Sequence, residues 1–248
     1  MRNIKLVIQY DGTKYSGWQK RPGDEKSIQY KLENVISRML DAKIEIIGSG
    51  RTDKGVHATM QVANFHEPKY AVYFSLGEMI EYINAHLPKD IAVISITEAD
   101  ERFHSRLNCT AKKYIYRIDN RKVQDVFQSK FRTHVTPKLN VKAMKQAAEH
   151  FVGEYDFTSF ANKKSKSKSA IREIYSLEIS EKGGFIDMEV RGNGFLYNMV
   201  RIIAGTLIEV GHGKKKASDI RAILEAKERA LAGYTAPAEG LVLDSVEY

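Results

Sequence analysis

Gly48-Ser49-Gly50-Arg51-Thr52-Asp53-Lys54-Gly55-Val56-His57-Ala58 separates two short apolar stretches, residues 44–47 and 61–65. Three glycines within eight residues mean a backbone that turns sharply or lets a ligand approach closely, so the stretch reads as a loop joining two strands. Upstream, Ile4, Leu6, Ile8 and Tyr10 alternate with Lys5 and Gln9, which predicts an opening strand. A turn-rich segment with Asp11, Gly12, Gly17, Pro22 and Gly23 then leads to Ser27, a helix N-cap. Ile28, Leu32, Val35, Ile36 and Met39 share one face of the helix that follows. Downstream of the loop, Leu76, Met79, Ile80 and Ile83 mark a second helix, and residues 91–96 a strand. The order strand, helix, strand, strand, helix, strand is ferredoxin-like, an arrangement also used by RNA-binding sheets.

That order recurs. A strand over residues 112–118 precedes a helix with Val141, Met144 and Phe151 on one side. A hairpin follows over residues 171–180 and 185–190, turned at Gly183 and Gly184. Next come a helix bearing Leu196, Met199, Val200, Ile203 and Leu207, a helix led by Ser218, and a last strand over residues 241–246. The expected fold is α+β with two ferredoxin-like halves, residues 1–104 and 105–248, alike in topology and not in residue-level repeat. Residues 162–169, reading N-K-K-S-K-S-K-S, are expected to form a mobile basic loop, either a solvated charge run or a phosphate contact.

With 248 residues and 43% hydrophobic content the chain can bury a substantial core. Its net charge of +8 and pI near 9.3 favour a polyanionic partner such as nucleic acid. Cys109 is the single cysteine, which excludes an internal disulfide and a thiolate metal cage and points to a reducing, cytoplasmic setting. The opening strand leaves no apolar signal-peptide core, and no apolar run approaches the roughly 18 residues that span a bilayer. The seven histidines form no i, i+4 pair, so no catalytic metal is expected.

Asp53, presented between Arg51 and Lys54, has the setting of an ionised and accessible carboxylate, as a nucleophile or base needs. The plain alternative is a turn aspartate paired with Arg51. On pattern alone Tyr114 and Tyr116 are strand packing residues, and Arg201, opening the second turn of an apolar helix, is a surface arginine. His57 reads as a structural histidine and Trp18 as a packing anchor. Gly211-His212-Gly213-Lys214-Lys215-Lys216 lacks the spacing and the hydroxyl residue of a phosphate loop.

The loop motif G-R-T-D-x-G-V-H, preceded by Y-D-G-T-x-Y-x-G-W-Q at residues 10–19, resembles the TruA family of tRNA pseudouridine synthases. The resemblance runs collinearly through Phe103-His104-Ser105-Arg106, Lys113-Tyr114-Ile115-Tyr116, residues 155–160, Phe195-Leu196-Tyr197-Asn198-Met199-Val200-Arg201 and residues 236–241. It implies a large, mostly antiparallel sheet flanked by helices with a central cleft, a homodimer, no cofactor, and tRNA as partner. It implies Asp53 as the catalytic aspartate, Tyr114 against the uracil ring, Arg201 paired with the aspartate, and Arg51 in the space left by the flipped base. The implied substrates are anticodon-stem uridines, positions 38 to 40 in standard tRNA numbering.

The reaction breaks the bond from C1′ to N1 of uridine and rejoins the rotated uracil through C5, without net redox change. A carboxylate can serve by attacking C1′ or by removing a sugar proton. Extracting the base from its stack costs a few kcal/mol, and an aromatic contact returns roughly 1–3 kcal/mol. Three positions depart from the usual family pattern: Ser49 and Lys54 stand for alanines, and Met60 for a glycine. Lys54 is expected to contact phosphate, and a paralogue redirected to ribosomal RNA is the nearest alternative. A non-catalytic RNA-binding module is a second alternative. A glycosidase is a third, needing a second carboxylic acid such as Glu154, Asp156 or Glu239 near Asp53.

Overall fold

A computed structural model describes residues 1–162 and 168–248, so most of the basic stretch 162–169 lies outside the described residues. The fold is α+β, with ten mostly antiparallel strands and five α-helices among the described residues. The chain forms two compact units, Met1–Thr110 with Leu243–Tyr248, and Ala111–Val242.

The first unit runs β1 (Asn3–Tyr10), α1 (Ile28–Leu40), β2 (Ile47–Gly48), β3 (His57–His66), α2 (Leu76–His86) and β4 (Ile91–Ala99). β1 lies antiparallel between β3 and β4, with Leu6 opposite Ala63 on one side and Ile96 on the other, and β2 flanks β3. The spatial order β4-β1-β3-β2 is the ferredoxin-like order that the sequence periodicity predicts. Ile4, Leu6 and Ile8 are fully buried, as are Ile28, Leu32 and Ile36 of α1 and Met79 and Ile83 of α2. Each such side chain contributes about 1.5–3 kcal/mol of burial free energy. Ser27 caps α1 by accepting from Tyr30 N, and Ser75 with Glu78 forms a capping box on α2.

The strand expected over residues 44–47 shrinks to the two residues of β2. Ile44 N donates to Ser37 Oγ and Ile46 N to Glu33 Oε1, so side chains of α1 take the donors that a strand ladder would use. β3, conversely, starts four residues earlier than the apolar pattern suggests, directly behind the glycine-rich loop.

The second unit holds β5 (Ala111–Asp119), β6 (Thr133–His134), α3 (Val141–Glu149), β7 (Gly153–Asp156), β8 (Ile171–Lys182), β9 (Phe185–Gly192), α4 (Met199–Gly211) and α5 (Asp219–Ala226). β9 pairs antiparallel with both β5 and β8, β7 continues beyond β8, and β6 lies parallel to the end of β5. The hairpin turns at Gly183 and Gly184, both at positive φ. β6 and β7, two and four residues long, carry too little pattern to be read from sequence. Leu196 and Phe151, assigned to helices by periodicity, lie just outside α4 and α3 yet are buried. α4 begins after Asn198, whose φ of 62° is left-handed, a conformation asparagine tolerates better than most residues. The closing strand β10 (Leu241–Glu247) belongs from Leu243 onward to the first unit.

Candidate active site

In the first unit the loop joining β2 to β3 rests on the segment that follows β1. Trp18 N donates to Thr52 O at 3.0 Å. Gly17, at φ +110°, passes so close that a Cβ there would come within 2.7 Å of Thr52 O and 3.1 Å of the Asp53 carbonyl carbon. Trp18 is 2% exposed and fills the space beside Gly48, so it is the packing anchor its sequence context suggests.

Beneath the loop lie four neutral polar side chains. Tyr10 OH and Thr52 Oγ1 are 2.7 Å apart. Ser49 Oγ donates to Gln61 Oε1 at 2.6 Å, and Gln61 Nε2 donates to Gly50 O at 3.0 Å. Tyr10, Ser49, Thr52 and Gln61 are all buried. Burial pushes the Tyr10 phenol well above its ordinary range, opposed by hydrogen bonds from Thr52 and Gln61, so it stays protonated.

The loop presents Asp53 half-buried, with Arg51 and Lys54 exposed on either side. Its exit is a tight turn, Val56 N donating to Asp53 O at 3.1 Å, with Gly55 at φ +82°. His57 is buried at the start of β3, and its Nδ1 accepts from Gly12 N at 3.0 Å and lies 3.3 Å from Asp11 Oδ1. It pins the loop's exit to the segment after β1, a structural task.

In the second unit Tyr114 is buried on β5 and meets Phe195 edge-on, ring centroids 5.3 Å apart. Tyr116 donates to Pro237 O at 3.0 Å and lies 2.8 Å from Thr133 Oγ1. Arg201 sits in the first turn of α4, one turn earlier than its sequence position suggested. Its Nε donates to Ala236 O at 2.7 Å, and Ala236 N returns a bond to Arg201 O. The segment that carries Ala236 is fixed in turn. Arg229 donates to Gly233 O and Thr235 Oγ1, and Gly233 N donates to Thr206 Oγ1.

Of the carboxylates a glycosidase would need, Glu154 is exposed on β7, and the other two have partners of their own. Asp156 accepts from the Thr158 hydroxyl and pairs with Lys227 at 3.0 Å, and Glu239 accepts from Thr133 Oγ1. Gly211, in the lysine-rich stretch, is a packing position where a Cβ would meet Leu139 and Met144 at 2.9 Å. Among the described residues no set of three or more His, Cys, Asp or Glu side chains gathers as metal ligands. No helix among them is long and apolar enough to cross a membrane.

A family model described as tRNA pseudouridine synthase matches residues 6–108 and 147–248, taking in the Asp53 loop, Phe195 and Arg201, while Tyr114 lies between the two segments. The class is that of isomerases acting on RNA. Relatives match from end to end over 248 residues, 100% of each chain: "tRNA pseudouridine synthase A 2" of Bacillus cereus at 50% identity, "tRNA pseudouridine synthase A 1" of Clostridium tetani at 48%, and "tRNA pseudouridine synthase A" of Brevibacillus brevis at 43%. The chain belongs to the tRNA pseudouridine synthase family.

Sequence reading picked out Asp53, Arg51, Tyr114 and Arg201 but passed over the groups beneath the loop. The signal was present: Tyr10 falls on the buried face of β1, and Gln61 is a buried polar residue between apolar neighbours Met60 and Val62 on β3.

Proposed function

We propose that the protein isomerises uridine to pseudouridine in the anticodon stem of tRNA, at positions 38 to 40, with Asp53 as its catalytic carboxylate. The observation that carries this reading is the presentation of Asp53, half-buried and flanked by two exposed cations on a loop whose underside is fixed by hydrogen bonds. A carboxylate so held needs little reorganisation to meet C1′ or its neighbouring sugar proton. In the net reaction the C1′–N1 and C5–H bonds break, C1′–C5 and N1–H bonds form, and the C5 proton leaves to water.

Tyr114 is assigned the face of the uracil ring, braced from its edge by Phe195. Arg201, its guanidinium oriented by Ala236 O, is assigned the charge balance of the carboxylate. Arg51, exposed beside Asp53, takes the space that the extruded base leaves. The enzyme is read as a cytoplasmic homodimer that needs no cofactor or metal, and the family resemblance and the lone cysteine support that reading. Sedimentation analysis tests the dimer.

The direct assay follows tritium released from C5-labelled uridine in an unmodified tRNA transcript. Asp53→Asn is expected to lower the rate by at least about 10³-fold while the protein stays folded, as loss of a reacting group does. Replacing the anticodon-stem uridines with cytidine abolishes release from the same transcript. Release that persists without Asp53 would overturn the assignment, and release that persists without those uridines would move the substrate elsewhere in RNA.

A further inference from the structure

We propose that the buried cluster of Tyr10, Ser49, Thr52 and Gln61 is the positioning device of the reaction, with Thr52 as the residue that sets where the Asp53 carboxylate stands. The proposal rests on the assignment of Asp53 above. It concerns groups that touch neither base nor sugar.

Burying four polar side chains in a sheet of a small unit is costly unless every group is bonded, and here the bonds converge on one target. Gln61 reaches from β3 with both ends of its amide, accepting from Ser49 and donating to Gly50 O, which fixes the loop before Asp53. Tyr10, at the end of β1, fixes the Thr52 hydroxyl, and Trp18 N fixes the Thr52 carbonyl. Thr52 is therefore held at both ends, one bond away in the chain from Asp53. Gly17 adds a steric restraint, because it packs against the peptide units on both sides of Asp53, at Thr52 O and at the Asp53 carbonyl carbon and Lys54 N.

A purely structural role has other solutions. An apolar pair of the same shape as Tyr10 and Thr52 would fill this space without desolvation cost. What a neutral hydrogen bond adds is direction, and it does so without a charge that would compete with the carboxylate for the substrate. The bonds bear on the peptide units around Asp53, so their loss is expected in the chemical step and not in RNA binding.

The test measures single-turnover tritium release, RNA affinity and thermal stability for Thr52→Val, Thr52→Ser and Tyr10→Phe, with Asp53→Asn alongside. Misplacing a reacting group by a fraction of an ångström is expected to slow Thr52→Val by about 10- to 100-fold at saturating enzyme, with affinity within about twofold of wild type. Thr52→Ser, which keeps the hydroxyl, returns the rate to within about threefold. Tyr10→Phe falls in the direction of Thr52→Val, and the double variant is no slower than the worse single one, since both remove one interaction. A wild-type rate in Thr52→Val with Asp53→Asn inactive would overturn this proposal alone. So would a loss that follows the folded fraction in every variant and is not rescued by serine. An active Asp53→Asn would instead remove the site assignment and this proposal with it.

Discussion

Asp53 in the first unit and Arg201 in the second are held by opposite means. The loop of Asp53 stands on neutral hydroxyl and amide groups, Tyr10, Ser49, Thr52 and Gln61, none of which changes charge at moderate pH. Arg201 is held by a backbone carbonyl from a segment 35 residues further on, and that segment is tied down by glycine contacts and by another arginine, Arg229. The difference follows from what each group must do. A carboxylate that meets an electrophilic carbon is weakened by every cation that binds it, so a neutral frame adds none beyond the charge balance assigned to Arg201. An arginine loses nothing by donating to carbonyl oxygens, since it has five donors to distribute.

The sharpest way to break the second unit's arrangement is steric. A Cβ on Gly205 would lie 1.9 Å from Tyr234 O and 2.9 Å from its carbonyl carbon, both backbone atoms that no side-chain movement can clear. Gly205→Ala is expected to lift the segment that carries Ala236 off α4 and to cost about 3 kcal/mol, at the upper end for overpacking. In thermal unfolding that is a fall of roughly 6–12 °C for a chain of this size. Because Ala236 O orients Arg201, tritium release should fall further than the folded fraction does. A Gly205→Ala protein as stable and active as wild type would mean that the segment is not the support described.

An intermediate effect separates the two regions by pH. At the end of β5, Arg121 donates two bonds to Asp119 and also pairs with Asp125, and Arg132 pairs with Asp187 at 2.6 Å. The Arg121 guanidinium, helped by backbone donors, holds the Asp119 carboxyl well below the usual carboxylate range. A depressed carboxylate stabilises the fold above its unfolded value, about 3.9, and that stabilisation fades as pH falls toward the folded value. Asp119→Asn should therefore lower the melting temperature by about 4 °C near neutrality, with the gap narrowing steadily below about pH 4. A pH-independent gap would remove the ion pair as its cause. No comparable acid limb is expected from the four groups under the Asp53 loop.

How much of this was legible in the sequence divides along the same line. The ferredoxin-like order of the first unit, the helix cap at Ser27 and the glycine turn at residues 183 and 184 follow from local pattern and turn chemistry, and the structure bears them out, whereas Ser218 leads α5 with helical backbone angles and no side-chain capping bond. The Asp53 loop was legible because its glycines and its charges lie within a few residues. The supports of Arg201 were not, because Ala236 and Arg229 are far along the chain and bond through backbone atoms that every residue carries. Residues 44–47 show the reverse error: their apolar alternation was real, with Ile44 and Ile46 buried, but Glu33 and Ser37 of α1 claimed their backbone donors.

The smallest expected effect is also the finest probe of the neutral frame. Ser49 stands where the family resemblance leads one to expect alanine, and its hydroxyl gives Gln61 Oε1 its donor. In Ser49→Ala that oxygen loses the serine hydroxyl as a donor in a buried site, with Tyr10 still beside Gln61, a cost of about 1 kcal/mol, or roughly 2–4 °C in thermal unfolding. Gln61 keeps its bond to Gly50 O, and Thr52 keeps Tyr10, so the loop retains both of these side-chain ties. Tritium release at saturating enzyme should consequently drop by no more than about threefold, well short of Thr52→Val, whose hydroxyl sits beside Asp53 in the chain. If Ser49→Ala proved as slow as Thr52→Val, the frame would be acting as one indivisible network. If it proved as stable and as fast as wild type, serine at this position would be a neutral variation, and the positioning would rest on Thr52 and Tyr10 alone.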